Sequence, residues 1–155
     1  GAPIAHGGRL YVPMGGKRVC CLDAATGAMQ WQYTVAAGCM NASPALWEDR
    51  LFISTSLRAG AIPPASRIRC LDARDGAELW ATPGGGITGP AVAGGRVYFA
   101  STSDAFFRCV DAAGDGATRL LARWTMADRV YESVPALYDG RAYILSEDGW
   151  LHAFE

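Results

Sequence analysis

Short apolar runs separated by glycine, proline and charged residues form the dominant pattern along the chain. Residues 51–53 and 97–99 are apolar at consecutive positions, which predicts strands covered on both faces. The pairs at 94–95 and 139–140 tolerate positive φ and predict tight hairpin turns between such strands. No amphipathic helical period stands out, so the pattern predicts an all-β fold.

One unit of this pattern returns four times. Its first half recurs at residues 2–13, 43–54, 89–100 and 134–145, and its second half at 19–23, 68–72, 107–111 and 151–155. The prolines of the four copies, Pro3, Pro44, Pro90 and Pro135, stand 41, 46 and 45 residues apart, a period typical of propeller blades. Each first strand is expected to start at its proline, where a missing N–H costs least.

The repeat therefore predicts a β-propeller of four-stranded antiparallel blades, with four blade repeats in one domain spanning 1–155. The predicted blades cover about 2–35, 42–82, 88–126 and 133–155. The last copy ends without an outer strand, which leaves a sheet edge that proteins normally cover. Three arrangements would cover it: a piece of a larger propeller of six to eight blades, two copies joined in one eight-bladed ring, or four blades closing alone.

A motif of aspartate, glycine and tryptophan recurs at the outer end of the blades. The two clear sets are Asp23, Gly27 and Trp31, and Asp72, Gly76 and Trp80. The aspartate is expected to accept backbone N–H groups in a turn, and the glycine to adopt a conformation that a Cβ resists. The tryptophan is expected to wedge against the next blade. In the third copy, Trp124 lies thirteen positions after Asp111, so the equivalence of this tryptophan is open.

The net charge of −1 at pH 7 and the absence of long charge runs argue against binding to nucleic acid or anionic lipid. The apolar runs are far shorter than the ~20 residues of a membrane-spanning helix, so no membrane insertion is expected. Charge and hydropathy thus leave ligand or protein binding, structural roles and catalysis open.

The stretch from Cys20 to Trp31 resembles the repeat motif of the pyrroloquinoline quinone (PQQ)-like β-propellers, Ala-x-Asp-x-x-Thr-Gly-x-x-x-Trp. The resemblance implies one of two roles for a bacterial protein. Enzymes of this kind, the quinoprotein alcohol dehydrogenases, surround PQQ and a Ca²⁺ ion with eight blades, whereas other members use the blades as a scaffold. The family implies a periplasmic or extracellular location, while free cysteines also suit the cytoplasm.

The cysteines are expected to be small buried residues. Cys21, Cys70 and Cys109 fill one blade position, which is Ala153 in the fourth copy. The adjacent Cys20 and Cys21 differ from the vicinal disulfide of the alcohol dehydrogenases, because they lie within a strand and not in a loop. The two histidines, His6 and His152, lie far apart in sequence and predict no metal site.

No residues are predicted to be catalytic. Asp104, Glu147 and Asp148 are expected to be solvated turn residues, and the glycine-rich stretch 83–89 to be a loop, since no helix follows it. A ligand, if bound, is expected at a polar rim around a central channel. The family geometry places in this rim Met40, Asn41, Ser43, Thr88, Tyr131, Glu132 and Ser133. The proline-bearing insertion at 56–67 is a second candidate contact surface.

The sequence thus predicts a non-catalytic PQQ-like propeller module that offers a binding or scaffold surface and needs no cofactor. Its expected partners are a protein, another copy of the chain, or the remaining blades of a longer one. The alternative is a fragment of a PQQ- and Ca²⁺-dependent alcohol dehydrogenase-type quinoprotein, completed by further blades.

Overall fold

A computed structural model describes residues 1–14, 16–35, 40, 42–56, 66–102, 104–114, 120–126, 128, 130 and 133–155. Over these residues the chain forms fifteen β-strands and no helix. Consequently this described part has no helix of the length and apolarity that crossing a membrane requires.

Four antiparallel sheets follow one another along the chain, and each takes its strands in sequence order. Blade 1 contains β1 (Ile4–His6), β2 (Arg9–Met14), β3 (Arg18–Asp23) and β4 (Met29–Thr34). Blade 2 contains β5 (Ala45–Trp47), β6 (Arg50–Thr55), β7 (Arg67–Asp72) and β8 (Glu78–Pro83). Blade 3 contains β9 (Ala91–Ala93), β10 (Arg96–Ala100), β11 (Phe106–Asp111) and β12 (Leu120–Thr125). Blade 4 contains β13 (Ala136–Tyr138), β14 (Arg141–Leu145) and β15 (Leu151–Phe154). The predicted all-β fold with a three-stranded last blade is confirmed.

The inner strands begin one residue later than the sequence suggested. β1 starts at Ile4, directly after Pro3, and the other three inner strands likewise start after their prolines. Proline has no N–H to give to the ladder, so pairing begins with the next residue. In the hairpins that follow, Glu48 and Asp139 take φ values of 51° and 47°, the left-handed conformation that two-residue turns of this kind require.

Equivalent strands pair in the same register. Tyr11 lies opposite Cys21, Phe52 opposite Cys70, and Tyr143 opposite Ala153. Each complete blade also has a register shift between its third and fourth strands, directly after the position of Cys21. The sequence repeat is thus a repeat of backbone geometry.

The core lies between consecutive blades. We call the face that a blade turns to the following blade its forward face, which in blade 1 carries Tyr11, Cys21 and Trp31, and the opposite face its rear face. Three buried clusters join blades 1 and 2, blades 2 and 3, and blades 3 and 4. Alternate residues of a middle strand therefore serve different clusters: Phe52 on β6 packs forward against blade 3, whereas Leu51 packs backward against blade 1.

Candidate functional site at the blade junctions

The recurring aspartate closes the turn between the third and fourth strands. Asp23 Oδ1 accepts the N–H of Thr26 at 2.8 Å, and Asp72 Oδ1 accepts the N–H of Arg74 at 2.8 Å. Hydrogen bonding by the Arg74 side chain lowers the pKa of the Asp72 carboxyl to about 2. The carboxylate is therefore ionised across the physiological range and serves as a fixed acceptor in this turn.

Trp31 docks on the corresponding turn of the next blade. Its indole Nε1–H donates to Ala73 O at 3.1 Å, and a Cβ at Gly76 would lie 2.6 Å from Trp31 Cε3. The ring lies at centroid distance 5.9 Å from Tyr11, whose hydroxyl donates to the same Ala73 carbonyl at 3.2 Å. The motif therefore has two roles: its tryptophan docks forward, and its turn receives the tryptophan of the preceding blade.

An arginine supports the same junction. Arg9 Nη1–H donates to Ala73 O and to Arg74 O, each at 3.0 Å. The equivalent Arg50 donates to Gly114 O in the turn of blade 3 at 3.3 Å. Sequence reasoning gave these arginines no role, although an arginine follows the first turn of all four repeats and was visible in the alignment of the copies.

The second junction repeats the packing of the first with a poorer hydrogen bond pattern. Trp80 is 6% exposed and packs at 5.8 Å from the ring of Phe52, in a cluster that includes Ala112 of blade 3. Its indole nitrogen has no acceptor within the described part of the chain. The apolar contact is thus conserved between the two junctions, whereas the indole hydrogen bond is described only in the first.

The third junction uses its tryptophan differently. Trp31 and Trp80 lie opposite Cys21 and Cys70, but Cys109 lies opposite Ala122, and Trp124 lies two residues further along, opposite Phe107. Trp124 still packs toward blade 4, with its ring 5.6 Å from that of Phe107 and 5.2 Å from that of Phe154. Ala122, and not Trp124, therefore holds the motif position in blade 3.

A cleft of about 360 Å³ lies between the first hairpins of blades 3 and 4. Its lining includes Arg96, Tyr98, Tyr138 and Arg141. Arg96 is the equivalent of Arg9 and Arg50, so the cleft occupies the place where, in the earlier junctions, the turn of the following blade accepts the arginine.

Four of the seven predicted rim residues, Met40, Ser43, Thr88 and Ser133, lie within the described part of the chain. Met40 belongs to the buried cluster of blades 1 and 2, and the fully buried Thr88 donates its hydroxyl to Ala100 O at 2.9 Å. Ser43 accepts the N–H of Ala2 at 2.7 Å, and Ser133 is partly exposed. Asn41, Tyr131 and Glu132 lie outside the described residues, as do residues 57–65 of the proline-bearing insertion. Met40 packs among apolar side chains, and the Thr88 hydroxyl already has a backbone acceptor. Both side chains therefore pack inside the protein.

The loop residues have local partners. Asp104 bridges Arg108 at 2.8 Å, and Asp148 accepts the hydroxyl of Ser146, which also contacts His152 Nε2 at 2.9 Å. Gly86 is buried in the glycine-rich connector, where its N–H and C=O both bond Ser54 Oγ at 2.8 Å. These contacts anchor loops to blades.

The described cysteines are buried free thiols, Cys20, Cys21, Cys70 and Cys109. Burial raises the pKa of Cys70 to about 11, which keeps it protonated and unreactive. Within the described residues no group of three or more histidine, cysteine, aspartate or glutamate side chains is placed to hold a metal ion.

Comparisons with known proteins agree with this geometry. Residues 1–62 and 64–155 match a family model described as outer membrane protein assembly factor BamB. A quinohemoprotein alcohol dehydrogenase, ADH IIB of Pseudomonas putida, is 30% identical over 88 residues, covering 50% of this chain and 12% of the relative. The chain thus spans a small part of that relative's length.

Two solved structures share the fold. The computationally designed Ika4 protein superposes with a TM-score of 0.75 at 12% identity, covering 98% of this chain and 88% of Ika4. The quinohemoprotein alcohol dehydrogenase ADHIIG of Pseudomonas putida HK5 superposes with a TM-score of 0.72 at 14% identity, covering 97% of this chain and 32% of that one. At these identities the likeness concerns the arrangement of the blades.

Proposed function

Because this chain belongs to the PQQ-like repeat family of β-propellers, we propose that it is a non-catalytic module whose rigid blades offer a binding or scaffold surface to a protein or small ligand. One observation carries the proposal: the recurring motif residues are used in joining blades. Trp31, Gly76 and Arg9 meet at one turn. Trp31 and Arg9 donate hydrogen bonds to the Ala73 carbonyl, and the indole of Trp31 packs against Gly76. Side chains committed to such contacts are unavailable for chemistry.

A PQQ titration tests this proposal. The protein encoded by the complete reading frame is titrated with PQQ in the presence of Ca²⁺, tryptophan fluorescence reports binding, and dye-linked alcohol oxidation reports activity. We expect neither saturable binding nor activity. A characterised quinoprotein alcohol dehydrogenase run in parallel shows that the assay detects both.

The second candidate is a piece of a PQQ-dependent alcohol dehydrogenase, favoured by the 30% identity to ADH IIB. In that case other blades would supply the cofactor ligands that the described residues lack. Stoichiometric PQQ binding with dye-linked alcohol oxidation by the complete protein would establish this candidate and refute the non-catalytic role.

A further inference from the structure

Aspartate is followed directly by glycine at four positions of the chain: Asp75, Asp115, Asp139 and Asp148. Such pairs are prone to spontaneous rearrangement, because glycine has no Cβ to keep its backbone nitrogen away from the aspartate carboxyl. The nitrogen attacks Cγ when its N–H is unbonded and the side chain is free to turn back onto the main chain. Asp115 lies outside the described residues, and the structure holds the other three pairs in different ways.

The pair formed by Asp75 and Gly76 is restrained in three ways. The Gly76 N–H donates to Asp72 O at 2.8 Å, and Asp75 Oδ1 accepts the N–H of Ala77 at 2.9 Å. The Trp31 ring covers Gly76 so closely that a Cβ there would lie 2.6 Å from it. A reaction at this pair would therefore require both hydrogen bonds to break beneath the docked indole.

The pair formed by Asp148 and Gly149 is also restrained. The Gly149 N–H donates to Ser146 O at 3.0 Å, and the Ser146 hydroxyl donates to Asp148 Oδ1. The same carboxylate oxygen accepts the N–H of Trp150 at 3.4 Å. Both groups that would have to meet are thus engaged within the loop between β14 and β15.

The pair formed by Asp139 and Gly140 is the tip of the hairpin between β13 and β14. Tyr138 pairs with Arg141, so these two residues are the whole loop. In such a turn the N–H of the second loop residue takes no part in the ladder. Within the described residues no backbone carbonyl accepts the Gly140 N–H, and nothing lies within 4 Å of the Cβ that Gly140 would carry. Both loop residues are exposed.

The openness of this tip does not depend on a following blade. Blades 1 and 3 are each followed by another blade, yet nothing lies within 4 Å of a Cβ at Gly7, Gly8 or Gly94 in their first hairpins. An open tip is therefore a property of the first hairpin in the repeat. Among the four first hairpins, the one of blade 4 alone has aspartate followed by glycine.

We propose that Asp139 is a site of spontaneous isoaspartate formation and, once converted, a substrate for a carboxyl methyltransferase that recognises isoaspartate. The Gly140 nitrogen bonds to Cγ of the protonated Asp139 carboxyl, the hydroxyl leaves with the N–H proton as water, and a succinimide ring forms. Water then opens the ring. Opening at the Cγ carbonyl restores aspartate, and opening at the main-chain carbonyl yields isoaspartate, so water is the sole co-reactant.

Isoaspartate changes the backbone of the hairpin. The link through Cγ adds one carbon to the main chain and leaves the carboxylate on Cα. A two-residue turn with Asp139 at φ of 47° has no place for an additional backbone atom, so the pairing of β13 with β14 is expected to weaken.

Site-resolved mass spectrometry tests the proposal. The protein encoded by the complete reading frame is incubated at physiological temperature, folded in buffer and unfolded in urea, and isoaspartate is quantified at each pair in proteolytic peptides. The unfolded protein gives the rate of each pair without structure. Folding should slow the reaction at Asp75 and Asp148 by about tenfold or more, which corresponds to a local opening free energy of about 1.4 kcal/mol or more. At Asp139 folding should slow it by less than about threefold.

Two variants serve as matched controls. Asp139→Glu copies Glu48, which has a φ of 51° at the same position of blade 2, but a glutamate side chain is too long to close a succinimide. It should abolish isoaspartate in the peptide that carries residue 139, together with methyl transfer to that peptide from S-adenosylmethionine by an isoaspartyl methyltransferase. Ser146→Ala frees one oxygen of Asp148 and should raise isoaspartate there about threefold, while Asp139 stays unchanged.

Equal slowing at Asp139 and Asp75 on folding would overturn the proposal, because the open hairpin would then give no access to the reaction. An isoaspartate signal that persists in the same peptide of Asp139→Glu would also overturn it. Neither readout involves a ligand, so its outcome is independent of the PQQ titration.

Discussion

At the scale of single residues, the contact between Trp31 and Gly76 explains why both recur. The indole covers the glycine so closely that no side chain fits between them, and it satisfies the Ala73 carbonyl. Gly27 has the same backbone conformation, with φ of +73° against +80°, but nothing lies within 4 Å of the Cβ it would carry. The two glycines therefore separate the effect of conformation from that of packing.

Replacing each glycine by alanine should give unequal losses of stability. Both changes carry the cost of a Cβ at positive φ, about 1–2 kcal/mol. Gly76→Ala should cost about 1–3 kcal/mol more, because the added methyl displaces the Trp31 ring. Urea unfolding followed by circular dichroism measures both free energies. Equal losses would mean that the ring does not press on this glycine.

Removal of the docked indoles should be severe. Trp31→Ala and Trp80→Ala should each cost about 3–5 kcal/mol of the free energy of unfolding, since both rings are buried. Trp150→Ala is the matched control: this ring is 68% exposed, and its loss should change stability by less than about 0.5 kcal/mol. A similar loss at all three positions would contradict the assignment of Trp31 and Trp80 to the junctions.

At the scale of elements, the outer strands β4 and β8 are linked by a polar contact that the apolar pattern did not indicate. Tyr33 donates its hydroxyl to Glu78, and Arg69 donates to the same carboxylate at 2.6 Å. Burial, followed by the hydrogen bond to Glu78, raises the pKa of Tyr33 to about 12. The folded state therefore holds the phenol proton more tightly than the unfolded state does.

This pKa predicts an alkaline loss of stability. The contribution of Tyr33 is fully present below about pH 10, its unfolded pKa, and disappears as the pH rises through about 12. Tyr33→Phe should reduce the fall in unfolding free energy over this range, measured by urea unfolding at several pH values. Cys70 adds a decline in the same direction between about pH 9 and 11. Tyr138→Phe, at an exposed ring, should leave the profile unchanged, and an unaltered profile for Tyr33→Phe would refute the explanation.

The strands, their order and the missing outer strand were predictable because the repeat fixes hairpins locally. The register of the third outer strand was less predictable, because the segment between Asp111 and Trp124 is longer than its counterpart in the first two copies. As a result, Ala122 and not a tryptophan lies opposite Cys109. The ligand rim depended on family geometry, which does not specify which way Met40 and Thr88 point. Their burial follows from packing between blades, which no local pattern encodes.

At the scale of the whole molecule, the two end blades are less covered than the middle ones. On the rear face of blade 2, Leu51 and Leu71 are fully buried, whereas their counterparts in blade 1, Leu10 and Leu22, are only partly buried. On the forward face of blade 4, Leu151 is exposed. Stability should therefore be highest in blade 2 and lowest in blade 4.

Native-state hydrogen exchange tests this gradient. The amides of β6 and β7, packed between two clusters, should exchange most slowly, and those of β14 and β15 should exchange fastest among the paired strands. Uniform protection across the four blades would mean that the end faces are covered in solution.

The double role of the motif turn has a consequence for how the gene can change. Because one stretch carries both the indole that reaches forward and the turn that accepts an indole from behind, a duplicated unit brings with it the surfaces needed at each of its new boundaries. Copying or deleting about 45 codons in frame would thus alter the number of units without compensating substitutions, so recombination can lengthen or shorten such a protein more readily than it can redesign one unit.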